Sequence, residues 1–273
     1  MNGLTQSVIV DRSERLLRFG ALIAAALMLS LSGFSGSARA AESHPTIVLV
    51  HGAFASPAGW DGVAAALHKD GYETATPALG LASVSDDVAI VRSTLDSIPG
   101  DKILVGHSYG GFVTTNAASG RSDVRGLVYT AAYVPDSGET ITSLSVGYAP
   151  GAFLAHLVFA PFPFAIVDPQ FFPEDFAQDL NPKLGAEIAA EQRLTSLGLF
   201  VTPSGPAAWH ALPSWYAVSG HDRAIDPALQ RFMAQRAGST TVQFPAASHV
   251  GGLTHYRARF VKLIEQAIDA TAT

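Results

Sequence analysis

From residue 46 onwards, short apolar runs alternate with stretches whose apolar positions recur at helical spacing. The run TIVLV at 46–50 is apolar almost throughout and ends in His51-Gly52, the pattern of a strand buried on both faces. Trp60, Val63, Ala64 and Leu67 then recur with a helical period before Gly71 closes the segment. A second strand is predicted over 73–79 and a second helix over 85–98, with Asp86 and Asp87 at the positive end of its dipole. Strands follow at 102–106, 124–134, 214–218 and 240–244, and helices at 110–119, 227–237 and 252–270. Strands alternating with helices predict an α/β fold, a mostly parallel sheet with right-handed crossovers and helices on both faces. Reactive groups in such a sheet belong at the carboxyl ends of the strands.

The alternation lapses between residues 135 and 212, a segment rich in proline and aromatics that includes FAPFPFAIVDPQFFPEDF at 159–176. A connection this long and apolar is no solvated linker, and a helical cap over the strand ends is predicted at about 137–212. Phe159, Phe162, Phe164, Phe171 and Phe172 are expected to pack that cap onto the body. Gly147, Gly151 and Gly205 stand at hinge-like positions and are read as turn residues.

The first 40 residues do not share this pattern. Arg12, Arg15 and Arg18 precede an apolar run from Ala21 to Leu31, and small residues lead to Ala38-Arg39-Ala40, the layout of a cleavable secretory signal. The run is shorter than the ~20 residues a spanning helix needs, so no stable membrane insertion is expected after cleavage. The domain is therefore predicted over 41–273 in a periplasmic or secreted protein. Without cysteine, neither a lipid anchor nor a disulfide framework is available. The formal net charge of −6 becomes −8 for 41–273, because the leader holds four arginines against Asp11 and Glu14. That acidic balance, with no basic stripe, argues against nucleic acid as a partner.

Candidate chemistry centres on Gly106-His107-Ser108-Tyr109-Gly110, a G-x-S-x-G pattern lying where a predicted strand ends and a helix begins. There a serine hydroxyl stands clear of its own backbone beside helix N–H groups, and flanking glycines relieve the crowding. Serine needs a base, and nine histidines compete for that role. His51, His107, His221 and His249 fall at strand ends, whereas His68, His210 and His255 fall in helix or cap positions. His249 follows the last strand, as the chain order serine, acid, histidine requires, while His107 is expected to pack beneath the elbow. Asp222, after the 214–218 strand, is the preferred acid, with Asp136 its rival; Asp226 before Pro227 is expected to cap the next helix. The N–H groups of Ala53 and Tyr109 are the expected oxyanion donors.

Taken together, His51-Gly52-Ala53 with Trp60, LVGHSYGG at 104–111, AAYVPD at 131–136, and Asp222-Arg223-Ala224-Ile225 with Ser248-His249 resemble the α/β-hydrolase superfamily. Within it the chain is similar to small esterases related to plant methyl-salicylate esterase and hydroxynitrile lyase, from about Thr46 onwards and most weakly in the cap. The resemblance implies an α/β-hydrolase fold, a triad of Ser108, Asp222 and His249, the Ala53 and Tyr109 amides as oxyanion hole, an apolar pocket and no cofactor. It favours Asp222 over Asp136, because the family's acid occupies the D-x-x-I position. The lyase branch carries threonine where Gly52 stands and lysine where Val250 stands, which argues against lyase chemistry here.

The expected activity is hydrolysis of small to medium hydrophobic carboxylic esters through an acyl-enzyme, with no metal and with Phe54, Tyr109 and Tyr133 near the mouth of the pocket. An amide, lactone or other acyl substrate on the same triad remains open, as does a weakly catalytic ligand receptor. Peroxide in place of water against the acyl-enzyme is a related side reaction.

Overall fold

The computed structural model describes residues 44–272; the predicted leader, 1–40, lies outside them. The first strand β1 (Thr46–Val50) runs into a 3-10 turn at Pro57–Trp60 and helix α1 (Asp61–Lys69). Then come β2 (Thr74–Ala75), α2 (Val84–Ser97), β3 (Lys102–His107), α3 (Tyr109–Ala117) and β4 (Val124–Thr130). After an insertion the body resumes with β8 (Ser214–Ser219), α7 (Pro227–Arg236), β9 (Thr240–Phe244) and α8 (Arg257–Thr271).

The sheet order is β2-β1-β3-β4-β8-β9 and every pairing is parallel. From β1 the chain steps outward to β2 and then returns across β1 to β3, so the winding reverses between β1 and β3. Val50 pairs with Gly106, which brings the loop after Val50 and the serine after His107 to the same end of that crevice. A crevice at a reversal of strand order is where open α/β sheets bind ligands.

The apolar run of β1 is explained by burial on both faces. Ile47 and Leu49 join Trp60, Leu67, Phe260 and Ile264 on one side, and Val48 and Val50 join Val91, Phe112, Val113 and Met233 on the other. Phe260, Ile264, Ala267 and Ile268 form the inward stripe of α8, at the three- and four-residue spacing of an amphipathic helix. Burial of each such large side chain contributes roughly 1.5–3 kcal/mol before entropy is counted.

Three elements differ from expectation. The strand predicted at 73–79 is only Thr74–Ala75: Pro77 cannot donate to a ladder, and the Leu79 amide donates instead to His51 Nε2. The strand predicted at 124–134 stops at Thr130, where Ala131 takes φ +43°; beyond it the Ala132 amide donates to Tyr216 Oη and the Tyr133 amide to Ser108 O. The last helix starts at Arg257 rather than 252, because 250–256 form turns that bring Gly252 against Thr130.

The predicted helical cap is corrected to a mixed one. Between β4 and β8 lie α4 (Ile141–Leu144), β5 (Leu157–Phe159), β6 (Phe164–Val167), α5 (Phe172–Phe176), α6 (Pro182–Ala190) and β7 (Thr195–Ser196). The three strands form an antiparallel sheet, and Ala165 and Val167 are buried while Phe164 and Ile166 are half-buried, an alternation of period two. Phe172 is buried as expected, but Phe159 and Phe162 are 59% and 82% exposed and pack nothing onto the body. No helix among the described residues is long and apolar enough to cross a membrane.

Candidate active site

The turn from β3 into α3 sets Ser108 at φ +56°, ψ −127°, a conformation that L-residues rarely adopt and that costs about 1–3 kcal/mol. Backbone bonds hold it there: Ser108 N donates to Ala131 O at 3.1 Å, and Ser108 O accepts from Gly111 N at 3.0 Å and Tyr133 N at 3.1 Å. The flanking glycines are required by close approach. A Cβ on Gly106 would lie 2.6 Å from Gly111 Cα, and one on Gly110 would lie 2.2 Å from Val50 O. A Cβ on Gly52 would lie 2.8 Å from Ser108 Cβ and 3.2 Å from its Oγ, so the first loop lies directly against the serine.

His249 follows β9, and its Nδ1–H donates to Asp222 Oδ2 at 2.8 Å with both residues buried. That bond leaves Nε2 with its lone pair, the tautomer a base needs. The imidazole lies 4.6 Å from the ring of His107 and 5.3 Å, edge-on, from Phe176, centroid to centroid. No hydrogen bond joins Ser108 to His249 among the described residues; in structures without ligand, catalytic contacts of this kind are often long and tighten when substrate binds.

Asp222 sits after β8, and its carboxylate is fully used. Oδ1 accepts the amides of Ala224 at 2.7 Å and Ile225 at 3.0 Å, and Oδ2 accepts Gln230 Nε2 at 2.7 Å besides His249. Gln230 was not found from the sequence. It is wholly buried on the inward face of α7 with Leu229, Met233 and Ala234, and its Oε1 accepts the Ser219 amide at 2.9 Å. An amide side chain on an otherwise apolar face was the available signal.

The rival acid is elsewhere: Asp136 accepts from His210 at 3.0 Å, and that bond holds its carboxyl below the usual range. Asp226 caps α7 as predicted, accepting the Ala228 amide. His107 is buried, with Nε2 at 3.0 Å from His249 O, and burial, then its histidine neighbours, push its pKa well below the usual value. His51 accepts the Leu79 amide at 3.1 Å, and burial lowers its pKa to about 4. The His221 ring is exposed.

The amides of Ala53 and Tyr109 have no partner among the hydrogen bonds of the described residues, whereas the adjacent Phe54 amide donates to Thr195 Oγ1 at 2.8 Å. Tyr109 Oη donates at 2.8 Å to the buried Asp87, whose pKa burial raises; burial also raises that of Tyr109. Phe54 and Tyr133 both wall the space next to Ser108, with Phe54 held at φ +58°.

An elbow serine, a histidine bonded to a carboxylate and two free amides at the open ends of parallel strands define the α/β-hydrolase class of protein. The sequence profile of the Alpha/beta hydrolase family matches residues 47–263, and the chain belongs to that family. It is similar to a carbendazim hydrolyzing esterase of Nocardioides sp. (strain SG-4G), 36% identical over 110 residues, 36% of this chain and 46% of that protein. A pyrethroid hydrolase from Sphingobium faniae JZ-2 shares the fold with a TM-score of 0.70 at 24% identity, over 84% of this chain and 98% of that one. Polyneuridine aldehyde esterase does so with a TM-score of 0.70 at 17% identity, over 82% of this chain and 99% of that one.

Proposed function

We propose that the protein is an exported serine carboxylesterase acting on hydrophobic carboxylic esters. The observation that carries this reading is the buried 2.8 Å bond from His249 to Asp222, at the same sheet end as the elbow serine. Ser108 Oγ attacks the ester carbonyl as His249 Nε2 takes its proton, and the oxyanion receives the amides of Ala53 and Tyr109. The C–O bond to the leaving alcohol breaks as the imidazolium returns the proton to that oxygen. Water, deprotonated by His249, then releases the acid and restores Ser108. Asp222 orients the ring and stabilises its cationic form throughout.

Support for an ester rather than another acyl substrate comes from the relative named as an esterase, and the aromatic walls beside Ser108, formed by Phe54, Tyr109 and Tyr133, fit a hydrophobic one. The test is hydrolysis of p-nitrophenyl esters from acetate to octanoate by the protein starting near Ala41, with Ser108→Ala as control. Turnover abolished in the control is expected; a folded parent that turns over none of the series would contradict the reading.

A further inference from the structure

Three spaces meet near Ser108. Directly beside it is one of only ≈ 20 Å³, walled by Ala53, Phe54, Tyr133, Phe153, Phe176 and Phe200. On one side this neck shares Ala53, Phe54 and Phe176 with a cleft of ≈ 610 Å³ that His249 lines. On the other it shares Tyr133, Ile141, Phe153, Phe200 and Ile225 with a pocket of ≈ 300 Å³ that His249 does not reach. The serine thus stands between two cavities of different size, and only one is lined by the general base.

We propose that these cavities take the two arms of one ester: the alcohol arm lies in the larger cleft and the acyl arm in the smaller pocket. The assignment rests on the serine-esterase reading above and follows from where the proton goes. When the tetrahedral intermediate collapses, the bond from the carbonyl carbon to the leaving oxygen breaks, and His249 protonates that oxygen. The leaving oxygen and all it carries must therefore stand on the His249 side. The carbonyl oxygen is held by the Ala53 and Tyr109 amides, which leaves the acyl chain the opposite side, past Tyr133 and Ile225 into the pocket.

The linings fit this division. Apart from two tyrosines, the pocket has one ionisable side chain, Asp226, whose carboxylate is committed to the Ala228 and Ala149 amides, so it suits an uncharged hydrocarbon chain. Its volume of ≈ 300 Å³ lies at the lower end of the ≈ 300–1,000 Å³ usual for small-molecule pockets. The cleft is twice as large and carries Asp179, Glu187, Glu191 and Arg257, so polar groups and fused rings belong on the alcohol arm. The substrate class is an ester of a medium-length aliphatic acid with a bulky, ring-bearing alcohol. The neck holds little more than one water, so such an ester enters only when the cap rings Phe153, Phe176 and Phe200 turn aside.

The test compares two ester series in the parent, Leu197→Trp and Ile188→Trp. Leu197 lines the pocket and Ile188 the cleft, both half-buried on the cap. One series lengthens the acyl chain on p-nitrophenol; the other enlarges the alcohol on acetate, from p-nitrophenol through 4-methylumbelliferone to naphthols. Leu197→Trp is expected to lower kcat/KM for the longest acyl chains relative to acetate by about 10-fold or more, and Ile188→Trp to do the same for the bulkiest alcohols. The opposite pairing, equal loss in both series, or no change in either would overturn the assignment. Circular dichroism checks each fold, and Leu157→Phe and Leu184→Phe replace a variant that does not fold. Turnover that survives Ser108→Ala would instead defeat the serine-esterase reading and leave the arms without meaning.

Discussion

Gln230 Nε2 lies 2.7 Å from Asp222 Oδ2, the same oxygen that receives His249 Nδ1. The glutamine is held in turn by the Ser219 amide and by Ile225 O, so the carboxylate is fixed from both strand and helix. Replacing Gln230 by leucine removes a donor to a buried charge, an interaction worth about 1.5–3 kcal/mol. Turnover should fall by about 10-fold or more, with KM little changed, because the carboxylate that orients the His249 ring loses one of the donors that fix it. Kinetics matching the parent across pH would mean that Gln230 only fills space.

The two candidate acids are separated by one pair of variants. Asp222→Asn should keep the fold and cut turnover by up to ~10⁴, as loss of an orienting carboxylate does in serine proteases. Asp136→Asn, which perturbs only surface contacts with His210 and the Ser137 amide, should stay close to the parent. The reverse order in a p-nitrophenyl acetate assay would move the acid to Asp136.

Gly52→Ala tests the contact between the first loop and Ser108. The added methyl would lie 2.8 Å from Ser108 Cβ, and the loop or the serine must move. A displacement near 1 Å at the reacting atom costs on the order of 10²-fold in rate. A variant that melts like the parent but loses activity on that scale is expected; full activity would show that the loop yields freely.

Stability should fall with acid before most carboxylates titrate. His51 has a pKa near 4 folded against its ordinary value of 6.5, so the unfolded chain binds the extra proton as pH drops from about 6.5 to 4. The contribution is flat above that window, is lost within it, and amounts to an order of 3 kcal/mol; His107, shifted the same way, adds to it. Urea unfolding at several pH values measures the slope, which His51→Gln should reduce. A slope unchanged in that variant would remove His51 from the account.

Export carries its own check. The mature N-terminus of protein recovered outside the cytoplasm should be Ala41 or a neighbour, and an intact leader on the exported protein would contradict this.

The sheet was legible because strands buried on both faces leave continuous apolar runs, as at Ile47 to Val50 and Ile103 to Val105. The D-x-x-I stretch was visible in the sequence, and it folds back so that the Ala224 and Ile225 amides bond one Asp222 carboxylate oxygen. Gln230 was not, because no local pattern links residue 230 to residue 222; tertiary packing of α7 brings them together. In the cap, the alternation from Phe164 to Val167 was present but only four residues long. Its partners, β5 and β7, are only three and two residues long, and β7 lies beyond α5 and α6 along the chain, so its pairing with β6 is not visible from either strand alone.

The central claim is that Ser108 is the nucleophile, and intact mass after incubation with a fluorophosphonate tests it most directly. One phosphonyl group per chain, mapped to Ser108 and absent from Ser108→Ala, is the predicted result. A folded protein that takes up no phosphonyl group, or one that is labelled equally in Ser108→Ala, would contradict it.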